Sequence, residues 1–386
     1  SPNCDYNSHE WRGALAPRAA EASVAASDAA PAGLPEAAMI DALLADLEGS
    51  LPQVWGRRVV SVFVGGGTPS LFSPDAIGRL VAGLRARLPL NPGCEITLEA
   101  NPGTFERDRF RAYRDAGITR LSIGVQSFDD RALAALGRVH DARQAIAAAE
   151  EAARAFDTFN LDLMYALPGQ DLPALRRDLD LALALGPPHL SVYHLTLEPN
   201  TRFAIEPPPA LPDEDTASEM LDAITDAADR AGLARYEVSA YARDGHRCQH
   251  NLTYWQFGDY LGIGPGAHGK ITTPDRGIVR QVRWRDPARY LAEAPAGRPV
   301  AQEQVVAAAD LPFEFMLNAM RLRDGVPLAW FAERCGLPST RLEPGLREAE
   351  RRGLVTRLRD RIVPTPLGFD FLSDLQALFL PDDRAG

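Results

Sequence analysis

The chain has 386 residues, 46% of them hydrophobic and 24% charged, a balance that suits a folded protein with one sizeable core and a smaller second unit. A formal charge of -11 and an isoelectric point near 5.2 argue against nucleic acid as a partner, because phosphate binding needs a concentrated basic face. No run approaches the ~20 apolar residues of a membrane span and no secretory leader opens the chain, so the expected setting is cytoplasmic, with no transmembrane segment.

The first residues read SPNCDYNSHE, beginning on Ser rather than Met. Cys4, Cys94, Cys248 and Cys335 lie far apart with no C-x-x-C among them, so neither a disulfide framework nor a structural zinc site is indicated. Residues 13–36 are rich in Ala, Pro and Ser without a clean apolar face and read as a loop insertion of low order.

Beyond the insertion, short β-branched or apolar runs alternate with Ala/Leu/Arg-rich stretches of helical period. The runs are VVSVFV (59–64), EITLEA (95–100), RLSIGVQ (120–126), FNLDLMYALP (159–168), HLSVYHLTL (189–197) and RYEVSAYA (235–242). Strand alternating with helix predicts an α/β fold on a parallel sheet. Five runs end in groups that a buried strand would not choose: Gly65-Gly66-Gly67-Thr68, Glu99 with Asn101, Gln126, Asp162 and His194. In a parallel barrel the carboxyl ends of the strands converge on one face, so these groups are expected to ring one pocket. Singly, each also reads as a local cap or turn.

VFVGGGTPS is the sharpest signal of the first half. Three glycines after a strand let the backbone approach a ligand with no Cβ in the way, at an entropic cost that an ordinary turn does not require. In CQHNLTYWQFGDY, Cys248, His250 and Tyr254 cluster beside Trp255 and Tyr260. Imidazole, thiolate and phenolate are the usual axial ligands of heme iron, and neighbouring aromatics can stack on a macrocycle. The plainer reading is a turn histidine with aromatics filling core. Residues 310–386 read as short helices, a small hairpin at LVTRLRDRIVPT and a closing helix, a winged-helix-like pattern. Its candidate recognition helix, roughly 340–352, carries Glu343, Glu348 and Glu350 among its arginines, so a structural or partner-docking role is expected before DNA binding.

Taken in order, CDYNSH, FVGGGTPSL, ITLEANPGT, RLSIGVQSF, LGRVH, FNLDLMYALPGQ, LEPNT, CQHNLTYW and DYLGIGPGAHGK resemble the HemW branch of the radical S-adenosylmethionine (SAM) proteins. These are relatives of oxygen-independent coproporphyrinogen III oxidase, HemN. The resemblance runs from residue 1 to about 380. It implies a partial (β/α)6 TIM-like barrel in residues 1–285 and a smaller, mostly helical, winged-helix-like domain in residues 286–386. It further implies a [4Fe-4S] cluster, SAM, heme as bound cargo and a heme-acceptor protein as partner.

Carried over by motif, Gly66, Gly67 and Thr68 would contact the methionine end of SAM, with Glu99 and Gln126 lining the cofactor. Arg138 would pair with the SAM carboxylate and Asp162 would contact the ribose. The chemistry agrees: a zwitterionic head needs a guanidinium and acceptors, and ribose hydroxyls need fixed polar partners. The HNxxYW pattern, with His250 and Tyr254, is a proposed heme-contact region of that branch, and Cys248 stands beside it. Laid on the family's C-x-x-x-C-x-x-C cluster loop, Cys4 falls on the third cysteine and Ser1 on the second, while the first falls before residue 1. One of three metal ligands is then present, and the resemblance implies an amino-terminally truncated chain that also lacks the first barrel strand.

The leading functional expectation is a heme chaperone; the alternative is an oxidase that decarboxylates the propionates of coproporphyrinogen III, and a third is a cluster-less tetrapyrrole-binding protein. QHNLTYW and GAHGK lean toward the chaperone, and no catalytic residue is assigned.

Overall fold

The computed structural model describes residues 35–197 and 202–381, so Cys4 and nearly all of the 13–36 segment lie outside the described residues. The described chain opens with the helix Glu36–Val54. Five strands then follow with helices between them: β1 (Val59–Val64), β2 (Leu90–Ala100), β3 (Arg120–Gln126), β4 (Thr158–Tyr165) and β5 (His189–His194). They pair in sequence order and all in parallel.

The helices between them start where short polar side chains cap their free amides. Asp141 forms a capping box with Gln144 at the head of Ala142–Ala155, and Asp171 and Asp213 cap Leu172–Ala184 and Glu214–Arg230. Ala145, Ala148, Ala149 and Ala152 recur at helical spacing on Ala142–Ala155 and are fully buried, letting that helix lie close against the sheet. The main core beneath includes Leu98, Leu121, Ile123, Leu161 and Leu190.

The run at 235–242 departs from the parallel expectation. It splits into β6 (Ala234–Arg235) and β7 (Ala240–Ala242), which pair antiparallel with each other, and β7 pairs antiparallel with β5. The sheet order is therefore β1-β2-β3-β4-β5-β7-β6. Only residues 236–239 join the two short strands, whereas a parallel crossover needs a dozen residues or more.

A second core follows, built on Phe257, Ile278, Phe315, Phe331, Leu346 and Leu375. Its first part is the antiparallel sheet of β8 (His268–Thr273), β9 (Gly277–Arg283) and β10 (Val300–Val305). The expected boundary at 285/286 thus falls between two paired strands of one sheet. The second part holds β11 (Val326–Pro327), β12 (Val355–Leu358) and β13 (Arg361–Pro364) beside the helices Leu311–Ala319, Ala329–Cys335 and Glu343–Arg351. The β12–β13 hairpin is the wing that LVTRLRDRIVPT suggests.

A buried ion pair joins the beginning of the described chain to the second sheet. Asp46 and Arg283 are both fully buried, with Arg283 Nη2 at 3.1 Å from Asp46 Oδ1. Tyr290 Oη donates to Asp46 Oδ2 at 2.9 Å, and Arg283 Nη2 also donates to Ser50 Oγ at 2.9 Å. A buried pair holds only when its remaining donors and acceptors are met, as they are in this cluster.

Candidate functional site

At the carboxyl ends of β1–β4 lies a pocket of about 170 Å³. Gly67, Thr68, Glu99, Gln126, Arg138 and Asp162 all line it. Gly66 stands at its edge and donates its N–H to Glu99 Oε2 at 3.0 Å. Residues predicted from five separate stretches of sequence therefore meet in one place, as the parallel topology requires. His194 does not: it is exposed as the last residue of β5, its ring tilted over Tyr165 at 5.1 Å.

The local backbone explains the cradle. Gly66 and Gly67 have φ of +83° and +61°, which β-carbon sterics disfavour, and a Cβ at either would meet nothing within 4 Å, so the space above them is open. Gly65 is needed for a different reason, since a Cβ there would lie 2.9 Å from the Glu99 carboxyl carbon. Gln126 has φ of +69° and sits at a register shift in the β3–β4 pairing, an irregularity that re-aims its side chain at the strand end.

Arg138 Nη2 donates to Asn101 Oδ1 and to the Gly124 carbonyl, each at 3.0 Å, which fixes the guanidinium against the pocket wall. Asp162 takes Nδ2–H of Asn160 on Oδ1 at 2.8 Å and Oγ–H of Ser122 on Oδ2 at 3.2 Å. Burial pushes the carboxyls of Glu99 and Asp162 up from the ordinary range, against the stabilising donors Gly66 N–H and Asn160. A glycine cradle, one guanidinium and two carboxylates suit a zwitterionic ligand that also carries hydroxyls.

Asn101 lines the pocket as expected of a strand-end group, and Ser122 and Gly124 line it without having been singled out from sequence. Ser122, Gly124 and Gln126 recur every second residue on β3, so all three sit on one face of the strand. Small or polar groups at that period in an otherwise apolar strand are the signal that finds them.

The second candidate site surrounds the helix Gln249–Trp255, whose N-cap is Cys248. His250 stacks on Phe63 of β1, ring centroids 4.2 Å apart and planes 15° apart, and meets Tyr254 edge-on at 4.8 Å. Tyr254 in turn packs on Tyr260 at 4.4 Å, and Arg321 lies over Trp255 at 4.2 Å. Burial, with the Arg120 charge next, holds the His250 imidazole down at about 4, so it is neutral near pH 7. Cys248 differs from the iron-ligand expectation. It is 1% exposed, its S–H points at Glu95 Oε1 at 3.6 Å, and burial pushes the thiol up to about 11, so it is neither open nor a ready thiolate. The same Glu95 carboxylate of β2 accepts the N–H of Gln249 at 3.0 Å, which caps the helix start.

Among the described residues no group of three His, Cys, Asp or Glu could hold a metal ion. The one cluster ligand expected from sequence, Cys4, lies outside them.

Comparison with known proteins places the chain in a family. Residues 51–182 match the family model described as the radical SAM superfamily, and residues 306–371 match the HemN C-terminal domain. The chain is 43% identical over 382 residues to the heme chaperone HemW of Escherichia coli, covering 99% of this chain and 95% of the relative. It is 40% identical over 387 residues to the heme chaperone HemW of Haemophilus influenzae, with the same coverage. The solved structure of coproporphyrinogen III oxidase (HemN) from Escherichia coli superposes with a TM-score of 0.73 at 22% identity, covering 89% of this chain and 83% of that one, which shows the shared fold.

Proposed function

We propose that this chain, which belongs to the HemW family of radical SAM proteins, is a heme chaperone that binds heme and passes it to an acceptor protein. The observation that carries this reading is identity of 40–43% to HemW relatives along nearly the whole chain. Family membership implies SAM and a [4Fe-4S] cluster. The cluster, when bound, would supply an electron and an open iron site for SAM. Cys4 is proposed as one of its ligands, and the chain as a cytoplasmic protein.

The pocket residues fit SAM. Arg138 is suited to its carboxylate, Glu99 to its ammonium, Asp162 and Gln126 to its nucleoside, and the open Gly66-Gly67-Thr68 turn to its methionine end. For heme, His250 and Tyr254 are the proposed contacts, supported by a neutral imidazole within an aromatic cluster and by the HNxxYW stretch. Cys248, enclosed behind Glu95, supports the helix rather than the iron.

The test is heme titration of the chain and of His250→Ala, followed by absorbance. Heme binding should weaken about tenfold in the variant, the scale of one lost ligand or buried polar contact, while the melting curve stays cooperative. Unchanged affinity removes His250 from the site. Conversion of coproporphyrinogen III to protoporphyrinogen IX by reconstituted protein with SAM and reductant would overturn the chaperone reading in favour of the oxidase.

A further inference from the structure

Below the Asp162 carboxylate a line of buried polar side chains crosses the interior of the sheet to the helix Gln249–Trp255. Asn160 is 1% exposed, His189 0% and Tyr236 1%. Asn160 Nδ2 donates to Asp162 Oδ1 and to Ser122 Oγ, each at 2.8 Å. Its Oδ1 faces His189 Nδ1 at 2.6 Å and accepts from Ser191 Oγ at 3.0 Å. His189 Nε2 lies 2.9 Å from Tyr236 Oη, which accepts the backbone N–H of Cys248 at 3.3 Å.

Donor and acceptor roles along this line can be assigned without ambiguity. A carboxylate only accepts, so Asn160 must turn its amide nitrogen to Asp162 and its oxygen to His189. An amide oxygen only accepts, so His189 must carry its proton on Nδ1. Burial and the Arg120 charge hold His189 well below its ordinary range, so it is neutral and Nε2 is left with a lone pair. Tyr236 therefore donates its O–H to His189, leaving its oxygen free to accept from Cys248. Every hydrogen points from the helix toward Asp162. Reversing any one link would set two donors or two acceptors against each other in a fully buried site, at the cost of an unmet buried group.

We propose that Asn160, His189 and Tyr236 are positioning residues for the nucleoside end of the pocket, holding the Asp162 carboxylate in the one orientation that addresses ribose hydroxyls. The proposal rests on the SAM reading of the pocket given above. Asn160 and Ser122 each donate to one Asp162 oxygen, which restrains rotation of a carboxylate that lines the cavity. His189 keeps Asn160 from flipping, and Tyr236 keeps His189 in its tautomer, so the effect of a substitution should fade with distance along the line.

The experiment measures binding of S-adenosylhomocysteine and of its 2′,3′-dideoxy analogue to the full chain and to His189→Leu, His189→Gln and Tyr236→Phe, with a thermal melt of each. In His189→Leu the affinity for S-adenosylhomocysteine should fall about tenfold while that for the analogue stays unchanged, because only the hydroxyl contacts depend on the carboxylate. Gln, which offers one donor and one acceptor, should restore most of the loss. Tyr236→Phe, which leaves both Asn160 bonds in place, should lose less than His189→Leu. Nitrogen-15 spectra should find His189 neutral and protonated on Nδ1; an Nε2–H tautomer or an imidazolium overturns the assignment whatever the variants do. Equal loss for both ligands in His189→Leu overturns the positioning role and leaves the SAM reading standing. A wild-type chain that binds neither ligand removes the SAM reading and this proposal together.

Discussion

Glu99 and Asp162 show what the pocket costs the fold. Burial raises both carboxyls, Glu99 further so because of the Asp162 charge. An acid whose folded pKa lies above its unfolded value, about 4.3 for Glu, holds its proton longer in the native state. Stability then falls as pH rises through the interval between the two values and levels off above it. Glu99→Gln removes that penalty, so it should raise stability at pH 7 by about 1 kcal/mol, with the gain vanishing below pH 4, while SAM binding weakens. Urea melts at pH 7 and pH 4 check the sign. At Gly124 a Cβ would sit 3.1 Å from both Arg138 Nη2 and Gln126 Nε2. Gly124→Ala should therefore keep the fold and weaken SAM binding about fivefold, the scale of one disturbed hydrogen bond, as read by calorimetry. At this scale the sequence was legible for Glu99 and the three glycines, which are poor choices for core or plain turn, whereas Arg138 was reached only through the resemblance of LGRVH to the family. Asn160 was not legible: inside an apolar run it reads as an ordinary strand residue, and only its partners on β3 and β5 give it a task.

Among the elements, the helix Gln249–Trp255 depends most on a distant residue. It has seven residues, Gln249 exposed and the other six half-buried, and although Leu252 and Trp255 pack against the second core, its N-cap Cys248 offers no side-chain cap. The Glu95 carboxylate compensates by accepting the N–H groups of Gln249 at 3.0 Å and His250 at 3.4 Å. Glu95→Ala should speed amide exchange at 249–255 several-fold, and because Glu95 Oε2 also lies 4.0 Å from Nε of the buried Arg120 on β3, the stability loss should exceed the ~1 kcal/mol of a lost cap alone. Equal exchange in the variant would mean that the aromatic stack on Phe63 holds the helix alone. The strands were easier to foresee. VVSVFV and RLSIGVQ became β1 and β3 residue for residue, since β-branched and apolar periodicity and flanking turn signals agreed there. RYEVSAYA failed because its composition resembles the other runs, and pairing direction is set by connection length rather than by composition.

Across the whole molecule, the two largest cores are joined by strong polar links as well as by smaller apolar clusters, such as Ala42 with Tyr290 and Ala294, and Leu261 and Ile263 against Leu47 and Leu80. Glu95 is one such link, the Arg57–Asp259 pair at 2.5 Å is another, and Asp46–Arg283 is the most enclosed. Asp46→Ala leaves the Arg283 guanidinium buried without its counter-charge, and about 3–5 kcal/mol of stability should be lost, measured as the midpoint shift of urea unfolding. A shift below 1 kcal/mol would mean that water reaches the cluster. In the winged-helix-like end the arginines are answered locally: Arg357 binds Glu343 at 2.9 and 3.0 Å, and Arg351 and Arg352 share Glu348 at 2.6 and 2.7 Å. Among the described residues of that end these arginines pair with nearby acids, in keeping with the acidic balance of the chain. The Asp46–Arg283 pair also has a consequence in time. Its members are 237 positions apart, and a ribosome adding 5–20 residues per second delivers the second about 10–50 s after the first. Throughout that interval the helix Glu36–Val54 carries an acid destined for the interior with no cation to meet it. The first described helix is therefore secured only once Arg283 has been made, and chaperone capture of nascent chains should concentrate on those that end before Arg283.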